Sequence, residues 1–400
     1  MHAETWFMAT PNDTWWSRGS APFVAGETSQ DEAVFPPTPL SFQGLVRTRL
    51  LAATGKDPDR MTNDEVKGLV GPPDRLPENV RLRGPFPAQR ADGGWRAWFV
   101  VPRHLVAAAG GPQTVRVLPR TSGVRAGRIH AGAARSGVAN SGELPDTRRG
   151  GPMEGWIDEG NLAWALTGQA AWDPRGWTER SDPDAQGAVL PGFVHEEVRT
   201  GIQVNRVRGA PEDGMLYTAR QHRYADHAGL LGAWCAAAEA SGLTWGAAPA
   251  ARKGRLVAFQ RATPSKRLED LLAGRHLDGI TARPVSTPLH VWVTLLTPAI
   301  ATDDAVPWRA VPGTTLILGL GQAGDPIGGF DRRSGRARPV RATWAAGSSW
   351  LFALEGPAEA RLAAARALHG LDPTLLTEDE RFGFGQRLVG FPSLDGAPHA

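Results

Sequence analysis

Apolar residues along this chain come in short clusters, some spaced for strands and some for helices, with long polar or glycine-rich stretches between them. Residues 3–9 read as a short strand, and a loop rich in Trp, Pro and Gly follows. Thr38 then stands where a helix N-cap belongs, with Pro39 at the first helical position and Leu40, Leu45, Val46, Leu50 and Leu51 on a buried face. Gly55 is placed for the stop. Residues 56–87 are polar and rich in Pro, and residues 95–101 predict a second strand. Residues 153–168 read as a short helix or edge element, and residues 172–191 as a polar linker between domains. Two strands, 195–205 and 214–220, are expected to pair around a Pro211-Glu212-Asp213-Gly214 turn. The run 228–241 reads as a helix closed by Gly242. Strands are expected at 255–260, 290–296, 314–318, 340–344 and 349–354, followed by a helix from Pro357 to His369. Strands and helices alternate without a regular period, which predicts an α+β fold in two domains, 1–185 and 186–400.

Four hundred residues, 41% of them hydrophobic, suffice for two packed cores. No run of eighteen apolar residues or secretory leader is visible, and Cys235 is the single cysteine, read as a small buried hydrophobe. A cytoplasmic setting with no disulfide is the expectation. The net charge is only +3, but of 44 basic residues four are Lys and 40 are Arg. Codon composition accounts for much of that bias, so placement carries more than number. Residues 93–142 contain no Asp or Glu and seven arginines, Arg125 and Arg128 among them. Their glycine-rich character predicts a basic insertion at about 104–150 with a polyanion as neighbour. Further basic groups surround Arg199, Arg206, Arg208, Arg220 and Arg223, and then Arg332, Arg333, Arg336, Arg338 and Arg341.

Chemical motifs are scarce. Gly319-Leu320-Gly321-Gln322-Ala323-Gly324 fits the glycine string of a dinucleotide site. Asp325-Pro326 follows it where a helix N-terminus is required, so that reading is rejected. His195-Glu196-Glu197 lacks a second His at zinc spacing, and the paired aspartates at 57/59, 182/184 and 303/304 lie in turn-like sequence. No catalytic set, metal or cofactor is expected.

Read in order, several segments resemble the third-subunit family of the type III-B CRISPR (Cmr) effector complex, a group of RAMP proteins. They are Trp15-Trp16-Ser17-Arg18, Pro22-Phe23, Phe35-Pro36-Pro37, Gln43-Gly44-Leu45-Val46-Arg47 and Gly84-Pro85-Phe86. Glu197-Val198-Arg199-Thr200-Gly201-Ile202, Gly214-Met215-Leu216-Tyr217-Thr218, Gly328-Gly329-Phe330 and Phe382-Gly383-Phe384-Gly385 continue the series. The Arg-Asp-Gly-Arg order usual in the family's N-terminal loop is absent. The resemblance implies two ferredoxin-like (RRM-like) domains with long inserted loops. It also implies a non-catalytic role in antiviral defence: holding the 5′ tag of the guide RNA (crRNA) and bridging the large polymerase-like subunit to the backbone RAMP subunit. Target RNA would be met indirectly, and no membrane is involved. Residues suited to the guide are Arg18, Gly44, Arg47, Arg125, Arg128, Arg199, Thr200, Gly201, Arg206, Arg208, Phe382, Gly383 and Gly385. Arg serves phosphates, flat side chains serve bases and Gly admits a close backbone. The phenyl rings of Phe382 and Phe384 suit a core equally well, and Gly44 suits close helix packing. Two rival functions stay open: a RAMP endoribonuclease using His195, His222 or His227, and a scaffold that binds mainly protein.

Overall fold

The computed structural model describes residues 3–17, 19, 30–31, 33–57, 60–91, 94–108, 111–114, 153–168, 171–178, 190–205, 208–250, 255–282, 288–302, 306–308, 310–331, 335–372 and 375–391. The chain begins with β1 (Ala3–Pro11), β2 (Gln30–Asp31), α1 (Pro39–Ala52) and α2 (Asn63–Val70). Next come β3 (Arg81–Ala91), β4 (Gly94–Val100), β5 (Leu105–Ala108), β6 (Gly111–Thr114), β7 (Trp156–Asp158), α3 (Glu159–Thr167) and β8 (Trp177–Thr178). The middle of the chain forms β9 (Val194–Asn205), β10 (Ala210–Tyr224), β11 (Ala228–Ala236), β12 (Trp245–Ala250) and β13 (Arg255–Arg261). Then follow α4 (Lys266–Leu272), β14 (Leu289–Leu295), β15 (Ala299–Ile300), β16 (Thr314–Leu320), β17 (Ala323–Asp331) and β18 (Arg336–Trp344). The last elements are β19 (Ser349–Leu354), α5 (Ala358–His369), α6 (Glu378–Arg381) and β20 (Arg387–Gly390). The fold is α+β, with mainly antiparallel sheets.

Two compact units form, each discontinuous in sequence. One comprises Met1–Trp95, Leu190–Thr263 and Asp325–Arg341, and the other Arg96–Val189, Pro264–Gly324 and Ala342–Ala400. In the first, strands run in the order β12-β13-β1-β11-β3, each antiparallel to its neighbour. Helix α1 packs on this sheet through Phe42, whose ring stacks on Phe7 of β1 at 5.9 Å. Its start is fixed as the sequence predicts: the Thr38 side chain accepts from the Ser41 N–H and Pro39 opens the first turn. The second unit orders its main sheet β16-β19-β14-β20. Helix α5 supplies Ala364, Ala365 and Leu368 to a core with Val291, Val293, Trp308, Trp350, Phe352 and Val389.

Three expectations need correction. The run read as a helix at 228–241 is strand β11, every residue of it buried, hydrogen-bonded to β1 on one side and β3 on the other. A strand buried on both faces shows no alternation, so its small apolar run passes for a helix. The stretch at 56–87 holds α2, opened by a capping box between Thr62 and Glu65, and the start of β3. The turn expected at Pro211-Glu212-Asp213-Gly214 lies inside β10, where the β9–β10 register shifts between Pro211 and Leu216. The chain reverses earlier, at Gly209, whose N–H reaches Asn205 O at 2.8 Å. The glycine string at 319–324 joins the end of β16 to the start of β17, with no helix behind it.

Candidate nucleic-acid interface

The Arg199 region lies on a long antiparallel hairpin, β9 and β10, with β2 added in parallel alongside β10. Residues directly opposite share a face, so the register defines two surfaces. On one, the Arg199 guanidinium forks onto Asp13, Nη1 and Nη2 each 2.9 Å from a carboxylate oxygen, and its Nε donates to Glu197 at 2.6 Å. Arg223 donates to the same two acids, at 2.6 Å to Glu197 and 2.9 Å to Asp13. The hydrogen bond from Arg199 is the main cause holding the Asp13 carboxyl below its ordinary value, and the bond to Asp13 raises Arg199 in turn. These groups are partly exposed, so the network fixes geometry more than it adds stability. The other surface presents Val198, Ile202 and Val204, 57%, 45% and 49% exposed, beside an Arg220–Glu196 pair. Thr200 is exposed opposite Thr218. Gly201 faces Tyr217, and a Cβ at Gly201 would strike that ring, so the glycine is needed for the tyrosine to lie across the strand. Arg208 is exposed in the reversal, its N–H on Asn205 Oδ1 at 3.1 Å.

At the base of the hairpin, backbone hydrogen bonds tie Trp15 to His222 in both directions, at 2.7 and 2.8 Å. The His222 ring meets the edge of Phe35 with centroids 5.1 Å apart, and burial lowers its pKa to about 4. It is therefore neutral near pH 7. His195 is exposed and lies opposite Arg223, whereas His222 lies opposite Glu196, so the two occupy different faces. His227 sits in the turn after β10, exposed and with φ 59°.

The α1 residues divide. Arg47 is buried, its Nη1 on Pro72 O at 3.0 Å and its Nη2 on Arg75 O, and burial lowers its pKa to about 10. Arg338 of β18 reaches Pro73 O at 3.0 Å, so both arginines brace the connection between α2 and β3. Gly44 has nothing within 4 Å of where a Cβ would stand, which corrects the close-packing alternative for this position.

Phe382 and Phe384 are 4% and 1% exposed, so the core reading of these rings replaces the stacking one. Gly383 (φ 103°) gives its carbonyl to Thr297 Oγ1 at 2.7 Å, and the Gly385 N–H donates to Pro298 O at 2.8 Å. Beneath them Arg387 is paired with Glu380, both buried, and lies 4.8 Å from the centroid of the Trp308 ring. This loop is internally satisfied. Arg18, Arg125, Arg128 and Arg206, and most of the insertion at 104–150, lie outside the described residues. Sequence reading missed Asp13 and Arg223 as the partners that orient Arg199. The one available signal was the opposed charges that the strand register sets side by side. Among the described residues no cluster of three or more His, Cys, Asp or Glu is set to hold a metal, and no helix is long and apolar enough to cross a membrane.

Residues 7–392 match the family described as CRISPR-associated protein (Cas_Cmr3), so the chain belongs to that family. It is a RAMP-type subunit of a type III CRISPR effector ribonucleoprotein. A search of curated proteins finds no match. Two solved structures are similar over nearly the whole chain. One is the type III-B Cmr-beta complex bound to cognate target RNA, at 11% identity and TM-score 0.47, covering 96% of this chain and 95% of that one. The other is the same complex bound to cognate target RNA and AMPPnP, at 11% identity and TM-score 0.46, covering 95% and 94%.

Proposed function

We propose that this subunit holds the 5′ tag of the crRNA and bridges the large polymerase-like subunit to the backbone RAMP subunit, without catalysing RNA cleavage. The observation that carries the proposal is the family match over residues 7–392. The strand orders support a ferredoxin-like reading of both units. Counting strands along the chain, β1, β3, β11 and β13 stand in the order 4-1-3-2, and so do β14, β16, β19 and β20. The exposed hairpin β9–β10 supplies two chemistries on one element. Its Arg199–Arg223 face, with Gly201 further along it and Arg208 in the reversal, suits an RNA backbone, and its other face, where Thr200 stands between Val198 and Ile202, suits burial against a neighbouring subunit. A cytoplasmic ribonucleoprotein is the fitting assembly.

The environment of His222 favours the non-catalytic reading for that residue. A general acid or base near neutral pH needs a pKa near 7 and access to the scissile phosphate. His222 has neither, whereas His195 is exposed on the Arg199–Arg223 face and His227 is exposed in the turn after β10, so both are put to the test directly. The test is incubation of the full chain with repeat-containing RNA. Bound and intact RNA is the expected outcome, and cleavage abolished by His195→Ala or His227→Ala would overturn the proposal.

A further inference from the structure

The Arg199 face of the β9–β10 hairpin carries an aromatic ring as well as cations. The register sets Tyr217 opposite Gly201, Ala219 opposite Arg199, Gln221 opposite Glu197 and Arg223 opposite His195. Opposed residues share a face, so Tyr217 stands on the same surface as both arginines. A Cβ at Gly201 would strike Cζ, Oη and Cε1 of Tyr217, so the ring leans over β9 at the glycine, and it remains partly exposed. An aromatic residue over a cross-strand glycine also steadies a hairpin. A functional role for the ring therefore has to be read from what surrounds it.

The segment after β1 brings a third cation to this face. Asp13 holds Arg199 and Arg223, and the Thr14 hydroxyl donates to Gln221 Oε1 at 2.5 Å. Arg255, the first residue of β13, donates through Nη1 to Thr14 O at 3.3 Å. Burial, and then the charge of Arg199, lower the Arg255 pKa, whereas Asp13, Glu197 and Tyr217 raise it, so these groups share one neighbourhood. Asp13 and Glu197 are both taken up by Arg199 and Arg223. Among the described residues Arg255 has no ion pair, and its hydrogen bond goes to a neutral carbonyl. Three guanidinium groups thus stand against two carboxylates, and the least compensated one lies near the aromatic ring. That pairing matches a nucleotide, whose base stacks while its phosphate meets a cation. An apolar protein surface would leave these charges buried without water, and the hairpin already offers such a surface Val198, Ile202 and Val204 on its other face.

We infer that Tyr217 stacks on one unpaired base of a single-stranded RNA and that Arg255 binds an adjoining phosphate. The inference rests on the RNA-binding reading above and adds to it an aromatic contact and a cation from outside the hairpin.

The test uses the full chain and a single-stranded RNA of about 12 nucleotides, within the span that one small fold engages, carrying photoactivatable 5-iodouracil. Crosslinking of the wild-type chain followed by mass spectrometry is expected to place an adduct on Tyr217. Tyr217→Ala should weaken binding roughly 5- to 150-fold, the loss of one stacked base, while Tyr217→Phe keeps most of the affinity. The salt slope should be the same for wild type and Tyr217→Ala, because stacking removes no ion pair. Arg255→Gln should instead lower the slope of log affinity against log salt by about 0.7, the share of one phosphate on a single strand. A purely structural role for the tyrosine would move the thermal midpoint and leave both the adduct and the affinity of folded protein untouched. Adducts only at other residues, or wild-type affinity in folded Tyr217→Ala, would overturn the stacking contact and leave the RNA-binding reading standing. An unchanged salt slope in folded Arg255→Gln would overturn the phosphate contact. Failure of the wild-type chain to bind any RNA would remove both readings together.

Discussion

His104 is wholly buried, its ring stacked on Trp292 with centroids 4.8 Å apart and its Nδ1 3.1 Å from Ser349 Oγ. Burial lowers its pKa to about 3. The unfolded chain protonates this histidine near its ordinary value of 6.5, so between pH 6.5 and about 3 the unfolded state binds more protons than the folded one. Stability contributed by the neutral ring is therefore fully present above pH 6.5 and declines as the pH falls through that window. The slope is at most about 1.4 kcal/mol per pH unit for one site. Denaturant titrations from pH 7 to pH 5 should show a falling midpoint, and His104→Phe, if it folds, should flatten the slope. An unchanged slope in that variant would assign the acid sensitivity to other groups. The same scale explains why the choice of site residues from sequence divided as it did. Arg47 and Arg199 look alike in sequence, but one is sunk against the Pro72 and Arg75 carbonyls and the other is held at the surface by Asp13. Only the fold brings residues 13 and 199 together.

Helix α1 carries a test at the scale of an element. Gly44 lies within it with open space where a side chain would be. A glycine inside a helix costs about 0.5–1 kcal/mol relative to alanine. Gly44→Ala should therefore raise the thermal midpoint. If RNA backbone approaches this face of α1, the same variant should bind RNA more weakly. A stabilised variant with unchanged RNA affinity would remove Gly44 from the site. Elements with caps or alternation were legible in the sequence: α1 from Thr38 and Pro39, β4, β13, β14, β19, and α5 after Pro357. Those governed by burial on both faces were not, β11 being the clearest. The tip of the β9–β10 hairpin was misplaced because Pro211 and Gly214 have turn chemistry, yet the chain accommodates them as an irregularity within β10. Phe382-Gly383-Phe384-Gly385 was legible as a motif but not as a core, since glycine and aromatic residues serve a tight buried loop as readily as an RNA contact.

Across the molecule, the two units share a strand order while drawing on interleaved segments, which linear composition does not reveal. Family membership was readable because the motifs are ordered along the chain, although each is short. RNA contact has independent physical support: basic residues cluster in acid-poor stretches despite a net charge of only +3. The measurement that bears most directly on the central claim is the affinity of the full chain for a guide RNA with its 5′ repeat-derived tag. The comparison is the same guide with the tag scrambled, across a range of salt concentrations. Tighter binding of the tagged guide is predicted, with log affinity falling linearly as log salt rises, because arginines displace condensed counterions. Equal affinity for the two guides, or binding indifferent to salt, would contradict the account.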